Sequence, residues 1–251
     1  MRQFTQRARI MPMTTKVTVT SVIQGIVIAG ILLFAALASS WFAVVAMAMI
    51  GVALMTGWGE VIRVANRASA RGVITAVLLA ALGAANWRSF ATTIFVSALS
   101  MIAVFVAEML RRDTGVDLIN QVSGVYLGSF LAISSSLWVY ALAGVVGQKI
   151  VTCMAVVVAV VAVIESFQVH TVHVLALINA LVAALLVAWL VDIPIWSAIA
   201  IAVAVTLTYA VTIESRDRPE EPLSSIGRIS LLAVPVCALG VIAFVLSLAI
   251  V

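Results

Sequence analysis

An all-α, polytopic transmembrane helix bundle of nine spans, with the N-terminus cytoplasmic and the C-terminus outside, is the fold class that this sequence predicts. Three observations predict it. Of 251 residues, 65% are hydrophobic and 10% charged, whereas soluble domains run at about 45–50% and about 25%; the mean hydropathy is +1.26. The apolar residues gather in runs near the roughly 20 needed to cross a hydrocarbon core about 30 Å thick. The basic residues fall in alternate gaps between those runs.

A basic cytoplasmic segment, 1–19, precedes a single transmembrane domain, 20–251. Span one is 20–38, and Ser39-Ser40 turn the chain into span two, 41–58. Span three, 72–86, is short, and span four, 90–110, is full length. Span five, 122–146, is long, span six, 150–164, is again short, and span seven is 174–191. Asp192 and Ile193 form a turn, after which Pro194 opens span eight, 194–213, at a helix position with no N–H bond to lose. Span nine is 229–251. The start of the chain also has the three regions of a signal peptide, ending in Ala36-Leu37-Ala38, and cleavage there leaves eight spans. The next apolar run begins at Trp41, as a helical hairpin requires.

Charge sets the orientation. Arg2, Arg7, Arg9, Lys16, Arg63, Arg67, Arg71, Arg111, Arg112, Arg216, Arg218 and Arg228 all fall on one side of a nine-span arrangement. Arg88 and Lys149 fall on the other. Cytoplasmic loops carry the excess of Lys and Arg, so the first side is inside. The net charge of +4 thus has a membrane explanation, and no nucleic-acid partner is expected. Cys153 and Cys237 each lie in an apolar run without metal-ligand spacing, which points to neither a disulfide nor a redox role.

Familiar catalytic motifs are missing. Gly144–Lys149 has the wrong spacing for a phosphate-binding loop, and His170 and His173 cannot form H-E-x-x-H. Asp113-Thr114-Gly115 is an isolated triplet in a short loop. No metal, cofactor or catalytic residue is expected. The longest polar segment, 214–228, reads as a solvated loop.

Ionisable groups inside a membrane are functional candidates because burying a charge there is costly. Glu108 precedes Arg111 and Arg112 by helical contact spacings, which makes an interfacial salt bridge. Asn86, Trp87 and Arg88 form an outer anchor. Glu165 is more unusual. The apolar stretch 150–164 rises only about 22 Å, and a helix continued through Phe167 to Val169 draws Glu165 into the inner leaflet. Gln168, His170 and His173 follow, with Asn179 farther along and no nearby cation. Glu165, His170, His173 and Asn179 form a candidate cluster for a proton, an ion or a polar substrate group; a wet interfacial turn and a metal site are the other readings.

Two patterns concern architecture. The short spans three and six run in opposite directions, so spans three to five and six to eight have the form of inverted repeats, an arrangement that transporters use. Hydrophobic mismatch absorbed by snorkelling is the plainer reading. Span five carries Gly124, Gly128, Ala132 and Ser136 at every fourth position. Such a stripe brings a neighbouring backbone close, within the chain, in a homo-oligomer or against a membrane partner. Mid-span Ser134, Ser135 and Ser136 can bond the preceding turn, and Trp138 and Tyr140 approach the outer interface.

Glu108-Met109-Leu110-Arg111-Arg112-Asp113-Thr114-Gly115, with Val122-Ser123-Gly124-Val125-Tyr126-Leu127-Gly128 and then Trp138, resembles a family of uncharacterised actinobacterial integral membrane proteins loosely labelled permeases. Gly57-Trp58 is similar to that family's Gly-Trp-Pro, with Gly59 in place of the proline. The resemblance covers about residues 55–140. It implies a bacterial plasma membrane and carries no site residues.

Three classes of function remain. A small permease for a weakly charged or lipid-like substrate fits the composition best. A non-catalytic subunit of a larger complex fits the stripe on span five. A lipid-headgroup enzyme needs several carboxylates to hold a metal beside phosphate, and the D-x-x-D-G and Gly-Gly signatures of such enzymes are missing.

Overall fold

The computed structural model describes residues 19–38, 40–64, 67–110, 118–165, 167, 172–216 and 223–250. Among them are nine α-helices and no strand. They are α1 (Val19–Leu37), α2 (Ser40–Val61), α3 (Arg67–Asn86), α4 (Phe90–Met109), α5 (Leu118–Ala141), α6 (Val145–Glu165), α7 (Val172–Val191), α8 (Ile195–Arg216) and α9 (Ser225–Ala249). Eight of them are long and apolar enough to cross a membrane, and α1 is apolar over Ile26–Leu37. The protein is an all-α polytopic membrane bundle.

Helix ends depart most from the hydropathy pattern at three places. The third helix starts at Arg67, ahead of the apolar run at 72, and reaches 20 residues. Arginine and alanine are good helix formers, so the backbone ladder runs on through Arg67-Ala68-Ser69-Ala70-Arg71 regardless of polarity. The fifth helix stops at Ala141, and α6 begins at Val145, so the residues expected to end span five instead open α6. Spans three and six are therefore not short helices; only their most apolar portions are short. Moreover, α6 gains its extra length at the end away from Glu165, and the helix ends at Glu165, with Phe167 in a turn.

Arg63, Arg88 and Asp192 follow the ends of α2, α3 and α7 with φ of 53°, 55° and 57°. This left-handed turn lets the next amide reach back: Val64 N–H donates to the Gly59 carbonyl at 3.1 Å, Ser89 to Ala84 at 3.0 Å and Ile193 to Ala188 at 3.0 Å. Each bond satisfies a carbonyl that a helix end would leave bare. Asp192 thus has the local turn role its position suggested.

Packing divides the bundle. Helices α3, α4 and α5 pack on one another, as do α6, α7 and α8. Consecutive α5 and α6 share little contact. Between the two groups stands α9, against α2 and α5 on one side and α6 and α8 on the other, while α1 lies mainly on α6. On α7 the buried face is a column of Ala176, Ala180, Ala184 and Ala188, and bulky residues such as Leu186 and Trp189 point outward. On α4 also most side chains are exposed. In a membrane these apolar surfaces meet lipid, where close packing of small residues rather than the hydrophobic effect holds helices together.

The start of α9 is held by a carboxylate on α2. Glu60 accepts from the Ser224 backbone N–H at 2.5 Å and from the Ser224 hydroxyl at 2.6 Å. The same hydroxyl accepts from Gly227 N–H at 3.2 Å as the N-cap. Ser224→Ala breaks two of these bonds and is expected to lower stability by about 1 kcal/mol. Faster amide exchange at Gly227, with the rest of α9 unchanged, is the accompanying readout; an unaltered Gly227 rate argues against the clamp.

Candidate functional site

Glu165 ends α6 and His173 lies in the first turn of α7. The connection between them is short enough to fold the two helices into an antiparallel pair, farther along which the Cys153 thiol meets the Ala184 carbonyl at 3.7 Å. This hairpin sets His173 Nδ1 2.9 Å from Glu165 Oε1. The two side chains differ sharply in access: that of Glu165 is 1% exposed and that of His173 is 49% exposed. Glu165 Oε2 is buried and has no hydrogen-bond partner among the described residues. A buried acceptor left unpaired normally costs about 1–3 kcal/mol, and more when charged. The pair therefore joins an accessible imidazole to an enclosed carboxyl.

Of the other expected members, Asn179 is elsewhere. Its side-chain amide donates to the Leu175 carbonyl at 2.8 Å on an exposed face of α7, a bond within its own helix. His170 lies outside the described residues, as do Arg111, Arg112 and the side chain of Glu108, and with them the expected interfacial salt bridge. Among the described residues no group of three or more His, Cys, Asp or Glu is placed to hold a metal.

The stripe on α5 is wholly buried within the chain. Gly124 and Gly128 receive Trp58 of α2, whose indole N–H donates to the Gly124 carbonyl at 2.9 Å. A Cβ on Gly124 would press on Ile62, and one on Gly128 would strike the Trp58 ring. Ala132 and Ser136 are fully enclosed. Trp58 is thus the partner of this stripe, while Gly57 beside it faces the Ile226 backbone and Ser230 of α9.

A second polar feature lies where α5 meets α9, and little in the residue pattern signals it. Trp138 is fully buried, not at the outer interface, and its indole N–H donates to the Val236 carbonyl at 2.9 Å. Ser135 and Ser136 bond back to Ala132 and Ile133 in their own helix, each at 2.7 Å. Ser134 turns to α9 instead. Its hydroxyl donates to the Cys237 carbonyl at 2.5 Å and accepts from the Val241 N–H at 3.2 Å. These are the two groups, four residues apart, that a regular helix pairs with each other. Pro235, just before them, has no N–H to offer the preceding turn. At the centre of its 25 residues, α9 is therefore gripped on its backbone by a side chain from α5, within a helix that runs on to Ala249. A Cβ on Gly240 would run into the Ser134 carbonyl oxygen, so the two backbones touch there.

Two apolar clefts open on the outer surface of the bundle. One, of about 220 Å³, lies between α1, α2 and α9 and includes Ile28, Ile50 and Ala233. The other, of about 630 Å³, lies between α4 and α5 and includes Phe105, Val122 and Tyr126.

Comparison with family models, with curated proteins and with solved structures found no match to this chain. The function must therefore be read from the geometry of the bundle.

Proposed function

We propose that this protein is a small permease of the bacterial plasma membrane that moves a weakly charged or lipid-like substrate. The observation that carries the reading is the joint at the middle of α9, where Pro235 has no N–H for the ladder and the Ser134 hydroxyl grips the backbone. It lies midway along a helix that stands between two groups of three, α3–α5 and α6–α8. Transporters place their moving boundary at such an interface, beside a helix whose ladder is opened near the bilayer centre. The two groups begin with helices that run in opposite directions, as inverted repeats do. The apolar clefts and the scarcity of buried charge suit a substrate with little charge of its own. The excess of basic residues on one face supports a plasma-membrane orientation with that face inside, and the resemblance of residues 55–140 to permease-labelled actinobacterial proteins agrees.

In this reading the two groups rock about α9, and the gap between α4 and α7 changes. Spin labels on the exposed positions Ile94 of α4 and Leu186 of α7 report that gap in lipid nanodiscs. Two separate distance populations, whose weights change with lipid composition or pH, are expected. One narrow distance under every condition would show a rigid scaffold and end the proposal.

A further inference from the structure

From the hydrogen-bonded pair at the α6–α7 hairpin we infer a proton-binding site: Glu165 takes up and releases one proton, and His173 is its route to the aqueous face. The inference rests on the permease reading and deepens it by naming its coupling ion. The geometry favours a proton over any other cation. A proton needs one oxygen and one nitrogen, which Glu165 Oε1 and His173 Nδ1 supply at 2.9 Å. A metal ion needs a larger shell of donors than this pair offers. The ring of His173 is half exposed in the first turn of α7, while Glu165 is closed off.

Helix electrostatics add a reason for the proton to move. A carboxylate is disfavoured at the C-terminal end of a helix, and an imidazolium at the N-terminal end. Glu165 ends α6 and His173 starts α7, so each would carry its charge at the unfavourable end. Transfer of the proton from His173 to Glu165 makes both neutral, and the reverse transfer makes an ion pair held by contact alone. Movement of one proton between the two atoms thus switches the hairpin between a neutral and a charged pair.

Among the described residues, few other ionisable groups lie on the helices packed against α6. The first helix, packed on α6, has no ionisable side chain. On α7 there is His173 alone, because Asp192 lies beyond its far end. On α8 there is Tyr209, with Glu214 and Arg216 in the last turns, whose side chains lie outside the described residues. On α9, Arg228 donates to the Leu223 carbonyl, and Cys237 lies near the helix centre. The fifth helix offers Tyr126 and Tyr140, and α6 itself has Lys149 and Cys153 toward its other end. His170 belongs to the connection between α6 and α7 and is kept intact in the test below.

The test uses the full-length chain in lipid nanodiscs, without substrate. Infrared difference spectra are recorded between about pH 5 and about pH 8, the range in which an imidazole and its partners exchange protons. The expected result is a carboxylic-acid C=O band that comes and goes with pH, is lost in Glu165→Gln, and exchanges with deuterium more slowly in His173→Asn. A band that survives Glu165→Gln overturns the proposal. Should Glu165→Gln fail to fold, dicyclohexylcarbodiimide on the wild-type chain gives the answer. A protonated carboxyl adds across its C=N bond, with no leaving group, and the adduct is located by mass spectrometry. Labelling of Glu165 that is several-fold faster in acid supports the site, and an unlabelled Glu165 overturns it. Neither measurement depends on transport. A titrating Glu165 in a chain whose α4–α7 distance never changes keeps the proton site and removes the permease; a mobile chain with a silent Glu165 does the reverse.

Discussion

Gly240→Ala is expected to lower the stability of the bundle by about 3 kcal/mol and to push α5 away from α9, although it adds a single methyl group. The added Cβ meets the backbone carbonyl of Ser134, which cannot rotate aside as the end of a flexible side chain would. The only relief is to separate the helices, which also breaks the bonds from Ser134 to Cys237 and Val241 and from Trp138 to Val236. Helix propensity works in the opposite direction and favours alanine by about 1 kcal/mol, so a net loss isolates the packing effect. Gly30→Ala supplies the contrast, because a Cβ there meets nothing within 4 Å. That substitution should be neutral or slightly stabilising. The check is denaturant titration in mixed micelles. Equal effects at Gly240 and Gly30 would show that α5 and α9 do not touch.

Trp138→Ala has the second large effect, a loss of about 3 kcal/mol. The indole is fully buried at the α5–α9 contact, and its removal leaves a cavity that surrounding helices can fill only by shifting. Within a membrane the loss comes from missing contacts rather than from hydration, since lipid is as apolar as the protein interior. Trp138→Phe separates the ring from its hydrogen bond. It keeps most of the volume but leaves the Val236 carbonyl without its donor, at a cost of about 1 kcal/mol. Ser134→Ala should cost a similar amount. In addition it releases the α9 backbone from α5 and, on the permease reading, changes the α4–α7 distance distribution. If Trp138→Phe proves as damaging as Trp138→Ala, the hydrogen bond and not the ring is the main contribution of this residue.

The α6–α7 pair was partly legible beforehand. An acid without a nearby cation, followed by two histidines at the end of an apolar run, marks a place where charge meets lipid, and residue types alone are enough to see it. Which of them touch is not visible in that pattern. The bond between Glu165 and His173 depends on where α6 stops and how the hairpin turns, and Asn179 is directed elsewhere by its own helix phase. The helix expected to run through Phe167 stops at Glu165, yet Glu165 is buried all the same.

The α5–α9 joint was hidden for a different reason. Serine, tryptophan, proline and glycine are each ordinary in a membrane span, and Ser134 and Trp138 lie 103 and 98 positions before their acceptors in α9. No local pattern links them. Trp138 resembles an interfacial aromatic because amphipathic rings usually collect there, and its burial follows from the acceptor that α9 supplies.

Hydrophobic length and charge placement are properties of segments, and a bilayer acts on segments one at a time. For that reason the all-helical bundle and the positions of its helices could be read from composition and spacing, to within a few residues at most ends. Helix termini escaped because backbone hydrogen bonds continue through polar residues such as Arg67 and Arg71 as readily as through apolar ones. Pairing between distant helices escaped because, in lipid, close fit replaces the hydrophobic effect as the force that selects partners. Fit depends on which small residue faces which large one across a contact, as Gly128 faces Trp58 and Gly240 faces Ser134. Those relations exist only once the helices are packed together.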